Sequence, residues 1–175
     1  MPTALLVIDF QSTVFDNPPA FECDAVMTRI AALIAATRAV GAPVLYVQHG
    51  ENDGDWQVGS DGWQFPAAIA PQDGEYISPK SICDAFEHST LAAQLANLKI
   101  DELVVCGYAT EFCIDTNVRR AASMGIAVVI AADAHTTRDR PHMRAQQIIA
   151  HHNWIWRNFG GIELRDSVAI VFGRD

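Results

Sequence analysis

The sequence predicts a three-layer α/β/α domain built on a mostly parallel, Rossmann-like central sheet. Short apolar runs rich in Val, Ile and Leu recur along the chain, too continuous for a sheet with one wet face. Between them lie longer segments with helical spacing of apolar residues. Such alternation implies parallel strands covered by helices on both sides and joined by right-handed crossovers. A third observation concerns chemistry: a carboxylate, an ammonium and a thiol each follow one of the apolar runs.

The first strand is expected over residues 4–9 and closes on Asp9. A helix follows over 24–40, with Val26, Ile30, Leu33 and Ile34 on one face and Gly41 as its stop. Strands are expected at 43–48 and 76–78, a helix at 89–97, and a strand at 103–107. Residues 111–124 read as one helix that buries Ile114, Val118 and Ala121 and ends at Gly125. A strand at 126–131 comes next; Pro141 then opens the first turn of a helix continuing to about 157, and 162–164 supply a short last strand. The stretch from Gly50 to Gly74 breaks the alternation. It is rich in Gly and Asp yet carries Trp56, Trp63 and Phe65, so it reads either as a lid or interface or as a cover for the sheet end.

A chain of 175 residues, 50% hydrophobic and 19% charged, suits one compact domain over 1–175, and no linker or repeat divides it. The net charge of −9 argues against nucleic acid or an anionic membrane surface as partner, since both need clustered Lys and Arg. The N-terminus enters an apolar strand without a basic leader, and no apolar stretch is long enough to span a bilayer. A cytoplasmic enzyme acting on a small molecule is the expectation, and the reducing compartment would keep a thiol free.

Cys113 is the candidate nucleophile. A strand breaks at Gly107 and the chain re-enters a helix around this residue, where unpaired N–H groups and the helix dipole would favour a thiolate. Taken singly, a cysteine is more simply a small buried hydrophobe, and Cys23, Cys83 and Cys106 are read that way. Asp9 ends a doubly buried strand, as a turn-capping residue or as a catalytic base. Lys80 ends another, as a solvated charge or as a partner to both. Ligand crevices in parallel sheets lie outside the carboxyl ends of the strands, so the three groups can converge: Asp9 taking the thiol proton, Lys80 lowering the thiol pKa, Cys113 attacking a carbonyl.

Ordered along the chain, Leu6-Val7-Ile8-Asp9-Phe10-Gln11, Gly62-Trp63, Lys80 with Asp84-Ala85-Phe86 and Thr90-Leu91, and Gly107-Tyr108-Ala109-Thr110-Glu111-Phe112-Cys113 resemble the isochorismatase-like cysteine hydrolases. Arg119, Ala121, Gly125 and Asp133-Ala134-His135-Thr136-Thr137 extend the likeness, which runs nearly end to end. That family includes nicotinamidases and N-carbamoylsarcosine amidase-like enzymes. The resemblance implies an Asp9–Lys80–Cys113 catalytic triad, a cis peptide bond between Tyr108 and Ala109, and an oxyanion site formed by backbone N–H groups of Ala109 and Cys113. It also implies a homo-oligomer, dimer or tetramer, in keeping with the aromatic 50–74 loop. The activity it implies is hydrolysis of an amide or ureido C–N bond without a cofactor.

Departures from that pattern narrow the reading. Nicotinamidases resemble one another in an Asp-x-His pair and a further His that supply a metal. Here the second strand ends Gln48-His49, and no histidine lies between Gly50 and Lys80. Asp53 and Asp55 beside His49 are the remaining ligand candidates, and no catalytic metal is expected. Gln11, Phe15 and Trp63 are the candidates for lining a substrate pocket. His151-His152 resembles a metal pair, but neighbours on a helix point about 100° apart. Two alternatives stay open: a vinyl-ether hydrolase using Asp9 as acid, and a non-catalytic thiol redox sensor.

Overall fold

The computed structural model describes residues 1–173. Six strands form one sheet, β1 (Thr3–Ile8), β2 (Val44–His49), β3 (Tyr76–Lys80), β4 (Glu102–Tyr108), β5 (Ala127–Thr136) and β6 (Ile162–Arg165). Their order is β3-β2-β1-β4-β5-β6, and every neighbouring pair is parallel. The four longer helices are α1 (Cys23–Ala39), α2 (Leu91–Leu98), α3 (Asp115–Ser123) and α4 (Ala145–Arg157). This is the expected three-layer α/β/α architecture. The strand order reverses between β1 and β4, and their carboxyl ends therefore flank the crevice of a doubly wound sheet.

Successive strand residues point to opposite faces, which divides the core in two. Leu5, Val7, Tyr46, Val104 and Val129 pack with Val26, Ile30, Leu33 and Ile34 of α1 on one face. On the other, Ala4, Leu6, Ile8, Leu45 and Val105 meet Leu91, Leu95, Val118 and Trp156. Gly107 is where β4 is drawn against β1: its φ is +127°, and a Cβ there would run into the Ile8 carbonyl. The β4–β5 register also shifts between Val105 and Gly107, just before the turn that carries Cys113.

Two elements differ from expectation. The helix expected over 111–124 begins as a wide turn, Thr110–Ile114, before α3. The Ile114 N–H reaches back five residues to the Ala109 carbonyl at 3.1 Å, and the Phe112 N–H shares that acceptor at 3.1 Å. Pro141 does not open α4. Residues Arg140 and Met143 close a tight turn on each other, and α4 starts only at Ala145, whose N–H donates to Asp139 Oδ1 at 2.9 Å. An acidic side chain as helix cap thus displaces the proline from the role its sequence position suggested.

Candidate active site

Asp9 follows β1 with φ +47°, a left-handed conformation that Asp tolerates better than most residues. Its N–H donates to the Val47 carbonyl at 3.0 Å and its carbonyl accepts the Gln11 N–H at 2.9 Å, so the backbone bends sharply and turns the carboxylate into the crevice. Lys80, the last residue of β3, brings its ammonium from two strands away. Nζ lies 2.7 Å from Asp9 Oδ2, 3.3 Å from Cys113 Sγ and 3.2 Å from His49 Nδ1. An ammonium has three N–H donors, and here each has an acceptor. His49 Nδ1 is therefore unprotonated, and its Nε2–H donates to Glu51 Oε1 at 3.0 Å.

The electrostatics depart from expectation at the thiol. Burial and the Asp9 carboxylate push the Cys113 thiol well above its ordinary pKa, with Lys80 pulling the other way. For Lys80, burial acts to lower the pKa, and the Asp9 charge together with the hydrogen bonds to Asp9 and Cys113 outweighs it, so the ammonium is held. The site at rest is thus a carboxylate–ammonium pair beside a neutral thiol. The helix-terminus argument for a resting thiolate does not prevail, because Asp9 and burial act directly on the sulfur. Asp9 Oδ1 is buried and has no hydrogen-bond donor among the described residues.

The three groups that the sequence places after separate strands are brought together by the fold. Asp9, Cys113, Tyr108 and Ala109 line a cavity of about 460 Å³, and the Tyr108–Ala109 peptide is cis. Trp56 stacks on Tyr108, with ring centres 6.0 Å apart, and Phe112 completes an aromatic rim. Arg138 and Arg140 lie on the same wall. Arg140 pairs with Glu111 at 2.6 Å and its guanidinium sits 5.0 Å from the Phe112 ring centre. Arg138 donates to the Thr13 carbonyl at 2.6 Å, while its buried Nε has no acceptor among the described residues.

Gln11, Phe15 and Trp63, expected to line the pocket, do not border this cavity. Gln11 is fully buried and staples the chain: its Nε2 donates to the His49 and Trp63 carbonyls and its Oε1 accepts the His49 N–H. Phe15 packs edge-on against Phe10, and Trp63 borders a separate recess beside Gly50 and Val58. Trp56, not Trp63, is the loop aromatic at the site. Cys23 and Cys106 are buried as expected, but Cys83 is exposed and borders the cavity that Cys113 lines. Arg138 and Arg140 escaped notice although they follow β5 at the same sheet edge; the strand-end logic applied to Asp9 and Lys80 would have found them.

Asp53 and Asp55 stay exposed, and His49 is engaged by Lys80 and Glu51 instead. Among the described residues, no group of three or more His, Cys, Asp or Glu side chains is assembled as a metal site. His152 spends its Nδ1–H on the Ile148 carbonyl at 2.8 Å, which makes it part of α4. No helix among the described residues is long and apolar enough to cross a membrane.

Fold and site together define a doubly wound α/β protein in which a thiol, a carboxylate and an ammonium meet at the point where strand order reverses. The Isochorismatase domain model matches residues 3–153, and the chain belongs to the isochorismatase family. It is 33% identical over 140 residues to a streptothricin hydrolase of Streptomyces noursei, covering 79% of this chain and 51% of that protein. The chain thus spans about half the length of the streptothricin hydrolases it matches. The isochorismatase family protein YddQ of Bacillus subtilis is 32% identical over 142 residues, 78% of this chain and 79% of its own. The ureidoacrylate amidohydrolase RutB of Stutzerimonas stutzeri is 25% identical over 170 residues, 75% and 68% of the two chains. Among solved structures, an isochorismatase family protein superposes with TM-score 0.87 at 31% identity, covering 94% of this chain and 98% of its own. An isochorismatase from Pseudomonas putida KT2440 does so with TM-score 0.91 at 26% identity, covering 97% and 90%.

Proposed function

We propose that the protein is a cysteine hydrolase that cleaves the amide or ureido C–N bond of a small molecule through an acyl-enzyme on Cys113. The observation that carries this reading is the shared contact of the Lys80 ammonium with Asp9 Oδ2 and Cys113 Sγ, at 2.7 and 3.3 Å. The ammonium can then steady negative charge on whichever partner carries it. As substrate enters, the thiol proton passes to the unpartnered Asp9 Oδ1, and the thiolate faces Lys80 without an opposing carboxylate. Sulfur attacks the carbonyl carbon, the C–N bond breaks, and Asp9 returns the proton to the leaving nitrogen. Water then adds to the thioester, giving its proton to Asp9; the acid leaves, and that proton restores the thiol. The N–H groups of Ala109 and Cys113 hold the oxyanion, worth about 3 to 4 kcal/mol per donor in comparable sites. The names of RutB and the streptothricin hydrolases, both hydrolases, agree with this class.

The cavity wall favours an anionic substrate. Arg138 borders the cavity and has no carboxylate partner among the described residues, whereas Glu51, the acidic residue bordering the cavity besides Asp9, is engaged by His49. Ammonia or amine release from paired amide and ureido compounds, with and without a carboxylate, tests both statements. Release from the carboxylate-bearing member, absent in Cys113→Ala, is expected. Arg138→Met should raise KM for that member about ten- to a hundred-fold, the loss of one charge-assisted contact. Turnover of no C–N substrate, together with vinyl-ether cleavage that survives Cys113→Ala, would refute the proposal.

A further inference from the structure

Cys83 is an exposed thiol in the cavity that holds Cys113, in the stretch between β3 and α2 that has no regular structure. Its placement is fixed by Asn117, a buried residue one helical turn beyond Cys113. A single amide group, Asn117 Nδ2, donates to the Cys113 carbonyl at 2.7 Å and to the Cys83 carbonyl at 2.9 Å, and Asn117 Oδ1 accepts the Ala85 N–H at 2.7 Å. Asn117 thus ties the two backbone segments together, and both cysteines line the same cavity. Nothing in the hydrolytic cycle uses Cys83.

We propose that Cys83 and Cys113 form a reversible disulfide under peroxide, a modification that masks the nucleophile. Cys83, the more exposed thiol, reacts first: hydrogen peroxide transfers an oxygen to its sulfur, giving a sulfenic acid and water. Cys113 then attacks the Cys83 sulfur as a thiolate, its proton going to Asp9. The S–O bond breaks, hydroxide leaves and takes up a proton, and a second water is released. The disulfide withdraws the attacking sulfur and stops oxidation of Cys113 at a stage that a dithiol reductant reverses. A disulfide needs Cα atoms about 4.4 to 6.8 Å apart, so its formation requires the irregular Cys83 segment to give up or shift its Asn117 contacts where the resting separation is larger.

Intact and peptide mass spectrometry on the full chain, treated with a small excess of hydrogen peroxide, tests this without reference to any substrate. The expected result is a monomer lighter by two hydrogens, a digest peptide pair joining Cys83 to Cys113, and full reversal by dithiothreitol. In Cys83→Ser the pair cannot form, and Cys113 should progress to sulfinic acid under the same treatment. Three results would overturn the proposal: both thiols remaining free, Cys113 sulfinic acid accumulating in the wild type as fast as in Cys83→Ser, or Cys83 linked to a second chain. Since the readout is mass, failure here leaves the hydrolase reading untouched, and a protein with no turnover can still show the disulfide.

Discussion

Lys80 Nζ lies 2.7 Å from Asp9 Oδ2, and both side chains are sealed from solvent. Neither charge is stable there alone. Removing one partner of a buried pair costs about 3–5 kcal/mol, whereas neutralising both is often close to neutral. Lys80→Met should therefore unfold at markedly lower urea concentration than the wild type, and adding Asp9→Asn should restore much of the loss while turnover stays absent. Wild-type stability in Lys80→Met would show that the pair is not the anchor of this site.

Asp9 also governs the sulfur. Burial and the Asp9 charge raise the Cys113 pKa, and Lys80 opposes them. In Asp9→Asn the opposing carboxylate is gone while the ammonium remains, so the thiol pKa should fall. Iodoacetamide should then alkylate Cys113 faster at neutral pH in Asp9→Asn than in the wild type, although the variant has lost its base and turns nothing over. Slower alkylation in the variant would contradict the electrostatic account.

His135 links the Thr110–Ile114 turn to α4. Asn153 Nδ2 donates to the Ala132 carbonyl at 3.0 Å, so Asn153 Oδ1 accepts the His135 Nε2–H at 3.0 Å, and His135 Nδ1 accepts from the Thr110 hydroxyl at 2.9 Å. Burial lowers the His135 pKa from 6.5 to about 4. The unfolded chain takes up a proton near pH 6.5 and the folded one only near 4. This histidine's contribution is thus intact above pH 6.5 and lost as pH falls toward 4, on the order of 3 kcal/mol. His135→Gln should be less stable at pH 7 and should show a flatter acid limb in urea melts between pH 6.5 and 4. An unchanged acid limb would place that pH dependence elsewhere.

Much of the fold was legible because it rests on local patterns. Runs such as Leu6-Val7-Ile8 and Val104-Val105-Cys106 are buried on both faces, and such runs read as parallel strands whatever surrounds them. The approach of Asp9, Lys80 and Cys113 followed from topology alone, since strand ends of a parallel sheet share an edge. What escaped depended on direction and long-range contact. Gln11 sits one turn from Asp9, yet its amide points back into the chain to hold His49 and Trp63. Which tryptophan of the 50–74 loop reaches the cavity is set by how that loop folds over the sheet, which spacing does not encode. The raised thiol pKa comes first from burial and then from a carboxylate 104 positions away in sequence, both beyond the reach of a helix-terminus argument. Cys83 was read as core because cysteines usually are; its loop leaves it at the surface.

The central claim is covalent chemistry at Cys113, and mass spectrometry of the protein rapidly quenched during turnover of a C–N substrate tests it most directly. The account predicts an acyl adduct on the Cys113 peptide, present in the wild type and absent in Cys113→Ala, with the amine released before the acid. Wild-type turnover by Cys113→Ala, or turnover with no adduct on Cys113 even when deacylation is slowed, would contradict it.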